Sequence, residues 1–73
     1  MEDYGVVLLH STSAALRSEK VLQRAGLDIK LIPVPRELSS NCGIAVRFAW
    51  GDRERLVAAL EGAGVEWEGI HRL

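Results

Sequence analysis

The chain reads as an α+β domain of element order βαββαβ, and three observations carry that reading. Four short apolar or alternating runs are separated by two stretches with helical spacing. Each helical stretch closes on an Ala-Gly pair, Ala25-Gly26 and Ala63-Gly64, as expected of an internal pseudo-repeat of two βαβ halves. A proline, Pro33, falls inside the second run. Period-two and period-3.6 patterns alternate along the chain, which predicts strands and helices sharing one core.

Residues 4–10 (YGVVLLH) form a nearly continuous apolar run, the pattern of a central strand. Ser11-Thr12-Ser13 follows with hydroxyls suited to a helix start, and Ser13 or Thr12 is the expected N-cap. The first helix is predicted over residues 14–25, with Ala15, Ser18, Leu22 and Ala25, flanked by Val21, as its apolar stripe. Arg17, Lys20 and Arg24 fall outside that stripe and should be solvated. Gly26 is placed to end the helix in the left-handed conformation.

Residues 27–34 read as a second strand. Proline has no ladder donor, so Pro33 puts this strand on an edge. Residues 35–41 form a polar loop, and residues 43–50 a third strand with Ile44, Val46 and Phe48 on one face. Gly51-Asp52 turns the chain into a second helix, where Leu56, Ala59, Leu60 and Ala63 recur at helical spacing and Gly62 and Gly64 close it. Residues 65–71 are predicted as the last strand, with Glu66 and Glu68 alternating against Val65 and Trp67, as suits the other edge. The simplest packing is a ferredoxin-like sandwich: a four-stranded antiparallel sheet in the order 4-1-3-2 with both helices on one face.

Seventy-three residues suit one small domain over residues 1–73, and a 48% hydrophobic fraction predicts folding rather than disorder. The formal charge of −1 gives no general reason to bind nucleic acid or an anionic membrane. No apolar run approaches bilayer length, and Met1-Glu2-Asp3 is unlike a secretion signal. A single cysteine cannot form an internal disulfide, which fits a reducing cytoplasm.

That cysteine, Cys42, follows the polar loop and precedes Gly43 and the third strand. In the expected topology it lies near His10, the Ser11-Thr12-Ser13 turn and the N-terminus of the first helix, where unpaired amides favour an anion. Arg36 in the same loop adds positive charge and Glu37 opposes it. Such a setting favours a thiolate, the reactive form of cysteine. Gly43 leaves the backbone open to a ligand or partner, or serves only as a turn residue. The ordinary reading of a lone cysteine, a small buried hydrophobe, stands beside this one. His10 is a candidate general base, although a histidine at a strand end is more often simply solvated. His71 is expected at the opposite end of the sheet. No Cys-x-x-Cys or His-x-x-x-His occurs, so no metal site is predicted within one chain, and no organic cofactor is called for. RNA-recognition domains share this topology but place stacking rings on the third strand, where residues 43–46 here are Gly-Ile-Ala-Val.

The run from Leu31 to Ala45, with its core Pro33-Val34-Pro35-Arg36-Glu37-Leu38-Ser39-Ser40-Asn41-Cys42-Gly43, resembles the signature of a small bacterial family described as selenium/sulfur carrier-like and otherwise of unknown function. The resemblance extends to Ser11-Thr12, Glu19-Lys20 and the closing residues 65–70. It implies that Cys42 carries the chalcogen, with Gly43 and Arg36 matching the family's glycine and loop arginine. Some relatives are joined to a sulfur-carrier domain. No such appendage is expected for this chain, so a desulfurase-like donor and an acceptor carrier would be separate proteins. Relay rather than enzymatic turnover is implied. The competing reading is a non-covalent interaction or ligand-sensing module. It draws on Val7, Leu9, Ala45, Trp50 and Trp67, some of which are expected on the open sheet face. A homodimer through that face is compatible with both readings.

Overall fold

The computed structural model describes residues 3–38 and 43–73. In chain order these form β1 (Tyr4–Leu8), α1 (Thr12–Arg24), β2 (Ile29–Pro33), β3 (Ile44–Ala49), a 3-10 turn (Trp50–Asp52), α2 (Arg53–Gly62) and β4 (Gly69–Arg72). The four strands make one antiparallel sheet in the order β2-β3-β1-β4, which is the expected 4-1-3-2 read from the other edge. Pro33 closes β2 on an outer edge, as its missing donor requires.

Register sorts the side chains between two faces. Val7 pairs with Val46 and Ile70, Gly5 with Phe48 and Arg72, and Phe48 with Ile29; this set faces the helices. There Val7, Leu9, Val46 and Phe48 pack with Ala15, Leu22 and Leu27, and with Leu56, Leu60 and Val65. The helical stripe is mostly as read, since Ala15, Ser18 and Leu22 are fully buried. Ser18 is the one buried polar residue among those described, and its hydroxyl donates to the Ala14 carbonyl at 2.8 Å. That bond removes the cost of an unpaired hydroxyl in the core. Ala25 departs from the prediction. It is the exposed C-cap of α1, and its carbonyl accepts from Arg55.

The second face is not bare. Val6 and Ala45 are fully buried and Leu8 nearly so, with Ile32, Val34 and Leu38 packed against them. The segment after β2 therefore folds back across the sheet. Val7, Leu9, Trp50 and Trp67 belong to the helix side, so of the five residues expected to supply an open apolar face only Ala45 lies there. The interaction reading loses most of its surface.

Element ends shift where partners run out. Ser11, in extended conformation, caps α1 by accepting from the Ala14 N–H at 3.1 Å, so the cap is Ser11 rather than Thr12 or Ser13. Residues 65–68 are a connector and β4 begins only at Gly69, opposite Leu8. The β1–β4 ladder ends at the Leu8–Gly69 pair, so residues 65–67 fall outside it. Val65 and Trp67 still turn inward onto the core, as their alternation indicated.

Gly5 has a steric reason to be glycine. A Cβ there would stand 2.5 Å from Trp50 Cε3 and 2.9 Å from Phe48 Cζ, inside a stack whose ring centroids are 5.9 Å apart. Gly5→Ala is expected to cost about 1–3 kcal/mol in urea denaturation, because the packed rings must move. Gly62→Ala meets nothing within 4 Å and should instead gain a few tenths to about 1 kcal/mol. Ser11→Ala should lose about 1 kcal/mol through its cap, with the far-UV spectrum of the native state retained.

Candidate functional site

One rim of the sheet collects the ends of β1 and β2 and the starts of β3 and β4. Leu8 pairs with both Ala45 and Gly69, and Pro33 pairs with Ile44. Chain connectivity then delivers Ser11, Thr12 and Ser13 to this rim as the cap and first turn of α1. Ser11 uses its hydroxyl on the Ala14 amide and its carbonyl on the Ala15 amide. No acidic residue lies in that first turn, and the first amides of a helix have no intrahelical acceptor, so this end of α1 keeps its positive character.

The loop after β2 is tied down at its stem. The Val34 N–H donates to the Gly43 carbonyl at 3.2 Å, carrying the β2–β3 ladder one step beyond Pro33 and Ile44. A turn follows in which the Leu38 N–H donates to the Pro35 carbonyl at 3.0 Å, leaving Arg36 and Glu37 exposed at its corner. Val34 and Leu38, together with Ile32 of β2, cover Val6, Leu8 and Ala45. Gly43 has φ +72°, the left-handed region where a side chain is strained, so glycine is needed there for the backbone as well as for any approach to it. Cys42, the residue of greatest chemical interest, lies outside the described residues.

His10 stands at the rim with its side chain about half exposed, and its Nδ1 is 3.5 Å from Glu68 Oε1. The Glu68 N–H donates to the Leu8 carbonyl at 2.7 Å, which brings that carboxylate to the histidine. His71 is the third residue of β4, opposite Val6 at mid-strand rather than at the far end of the sheet, and its Nε2 lies 3.0 Å from where a Cβ on Gly69 would stand. Thus the hydroxyls of the α1 turn, His10 and the stem of the signature loop share one end of the sheet. Arg36 lies on the turn that leaves it.

Sequence reasoning missed a feature here. A shallow groove of about 500 Å³ is lined by His10, Glu61, Gly64, Val65, Glu66 and Trp67. A second, of about 400 Å³, shares His10, Gly64, Val65 and Glu66 and reaches Ser13 and Arg17. Its floor is the connector after α2, where Gly64 at φ +70° turns the chain. Arg17 closes one side by donating to the Ala63 carbonyl at 2.8 Å, at the C-terminus of α2. Trp67 among glutamates was the available signal, and assigning residues 65–68 to a strand hid it.

None of the described helices is long and apolar enough to cross a membrane. Among curated proteins, a 39-residue stretch is 36% identical to the uncharacterized protein YtiA of Escherichia coli (strain K12), covering 53% of this chain and 46% of that protein. The match thus spans a little under half the length of that relative. No solved structure matches. The family model described as "Putative Se/S carrier protein-like" matches residues 4–72, from the first residue of β1 to the last of β4. The fold, the loop stem and that match agree: this chain belongs to the Se/S carrier-like family.

Proposed function

We propose that the chain is a sulfur or selenium carrier whose working group is the Cys42 thiolate. The family match across residues 4–72 carries this reading, because it includes the only cysteine of the sequence and the loop that holds it. Local structure supports it. The stem of that loop is fixed by the Val34–Gly43 bond and by the packing of half-buried Leu38 on the sheet, and Gly43 adopts a conformation suited to glycine. A group on a tethered loop loses less freedom when it meets a partner than one on a loose segment.

Transfer conserves atoms and electrons. The Cys42 thiolate attacks the terminal sulfur of a donor persulfide, a new S–S bond forms, and the donor cysteine leaves as a thiolate. An acceptor thiolate then attacks the terminal sulfur of the Cys42 persulfide and frees Cys42 again. The sulfur moves at the zero-valent level throughout, so no oxidant or reductant is consumed. A selenium atom follows the same course. The donor in this reading is a desulfurase-like protein and the acceptor a second carrier thiol.

The supporting groups are assigned by charge and position. Arg36, exposed on the turn, supplies a cation to the loop, while Ser11, Thr12 and Ser13 hold the positive end of α1 at the rim. Gly43 leaves the donor room. His10, whose Nδ1 faces Glu68 Oε1 at 3.5 Å, is kept in this scheme as a supporting group at the rim. No metal or organic cofactor enters the scheme, and the protein acts in the cytoplasm as a relay.

Incubation with a cysteine desulfurase and cysteine should add one sulfur atom to the intact mass. The gain should be reversed by a thiol reductant and absent in Cys42→Ser; a wild-type chain that gains nothing would end the proposal. Arg36→Ala should slow alkylation of Cys42 at neutral pH by roughly two- to tenfold, the effect of losing about 0.4–1.4 kcal/mol of charge stabilisation, and Arg36→Lys should restore most of it. Stopped-flow alkylation measures both.

A further inference from the structure

The sheet face away from the helices carries an arrangement that neither the fold nor the carrier reading uses. In the register across the sheet, Lys30 of β2 lies directly opposite Arg47 of β3, and Arg47 opposite Val6 of β1. Two like charges in facing cross-strand positions repel and reduce stability. The described ion pairs join His10 to Glu68, Arg55 to Asp52 and Arg72 to Asp3, and neither Lys30 nor Arg47 belongs to any of them. Lys30 alone could be explained as protection of an edge strand, since lysine there discourages strand addition. Arg47 sits on a central strand, where that explanation fails.

Arg47 is moreover held in place. Its guanidinium carbon lies 4.5 Å from the centroid of the Tyr4 ring. Stacking on an aromatic face fixes the plane of the group and leaves its N–H edge to meet a carboxylate in paired hydrogen bonds. Beside it, Val6, Leu8 and Ala45 under Val34 and Leu38 give the cations an apolar border. We propose that Lys30 and Arg47, with Tyr4, form a docking surface for an acidic segment of a partner protein.

Shape favours a macromolecule over a small anion. Tyr4, Asp28, Ile29, Lys30, Arg47 and Phe48 line a cleft of only about 170 Å³, below the usual size of a small-molecule pocket. Asp28 sets one carboxylate against the two cations, so a single free anion gains little there. An extended acidic chain can engage both cations together from the Tyr4 end of that face, beyond the part that Val34 and Leu38 cover. The proposal is independent of Cys42 and stands or falls without it.

The test is an NMR titration of the isotope-labelled full chain with a short polyglutamate peptide at low salt, with polyserine as control. Shifts are expected at Tyr4, Val6, Lys30 and Arg47, and they should fade as salt is raised. Lys30→Glu should weaken binding by about tenfold or more while raising the melting temperature by a few degrees, because a facing like-charge pair becomes an opposite one. Arg47→Glu should also weaken binding, and Lys20→Glu on α1 should leave it unchanged. Binding that survives both reversals overturns the proposal. Shifts centred on Lys20 and Arg24, or displacement of the peptide by equimolar inorganic phosphate, would do the same.

Discussion

The middle of the two central strands is buried on both faces, and the rest of the molecule follows from that. Val7 and Val46 are sealed on the helix side, Val6 and Ala45 on the other, all with no exposed surface. Two short helices can cover only one layer. The other must be covered by chain from elsewhere, and Val34 and Leu38 do so from the segment that the family signature marks. Each fully buried aliphatic side chain contributes roughly 1.5–3 kcal/mol, a large share of the stability of a domain this small. The signature loop is therefore anchored for the sake of the core, and any chemistry on it inherits a fixed base.

A second constraint ties the ends of the chain together around Trp50. Its backbone N–H donates to the Asp3 carbonyl at 2.9 Å, and its ring stacks on Phe48 over the space left by Gly5. Arg53 and Arg72 approach the same ring at 5.7 and 5.8 Å from its centroid, and Arg72 also pairs with the Asp3 carboxylate. Such cation–π contacts each contribute about 0.5–1 kcal/mol at exposed positions. The hub lies at the end of β3, and the rim described above lies at its start. One end of the sheet is thus closed by packing around Trp50, and the residues of the candidate site gather at the other.

Much of this was legible in the residues, because the signals were local. Pro33 named its edge, Ser18 sat correctly in the buried stripe, and Gly26 and Gly64 both adopt the positive φ that a helix end favours. What escaped the sequence was non-local. Alternation in residues 65–68 fixed which side chains turn inward but not whether a strand partner exists, since that depends on where the β1–β4 ladder ends. Likewise Val34, read as the end of the second strand, and Leu38, read as part of the polar loop, look unremarkable until the face they cover is known. The Gly5 void and the Lys30–Arg47 apposition depend on register, which no single run encodes. Of the candidate site, the gathering of Ser11 to Ser13, His10 and Gly43 at one rim followed from topology alone; the His10–Glu68 contact did not.

The outer strands limit how this protein can meet another. β2 ends in a proline and carries Lys30, and β4 is only four residues long. Both are poor templates for a visiting strand, because one lacks a donor and the other offers too short a row of backbone groups. Assembly by sheet extension is disfavoured at either flank. A client must therefore recognise side chains, on the strand-end rim or on the broad face, and such recognition can be released as readily as it forms. For a member of a family described as carrier-like, easy parting matters as much as meeting.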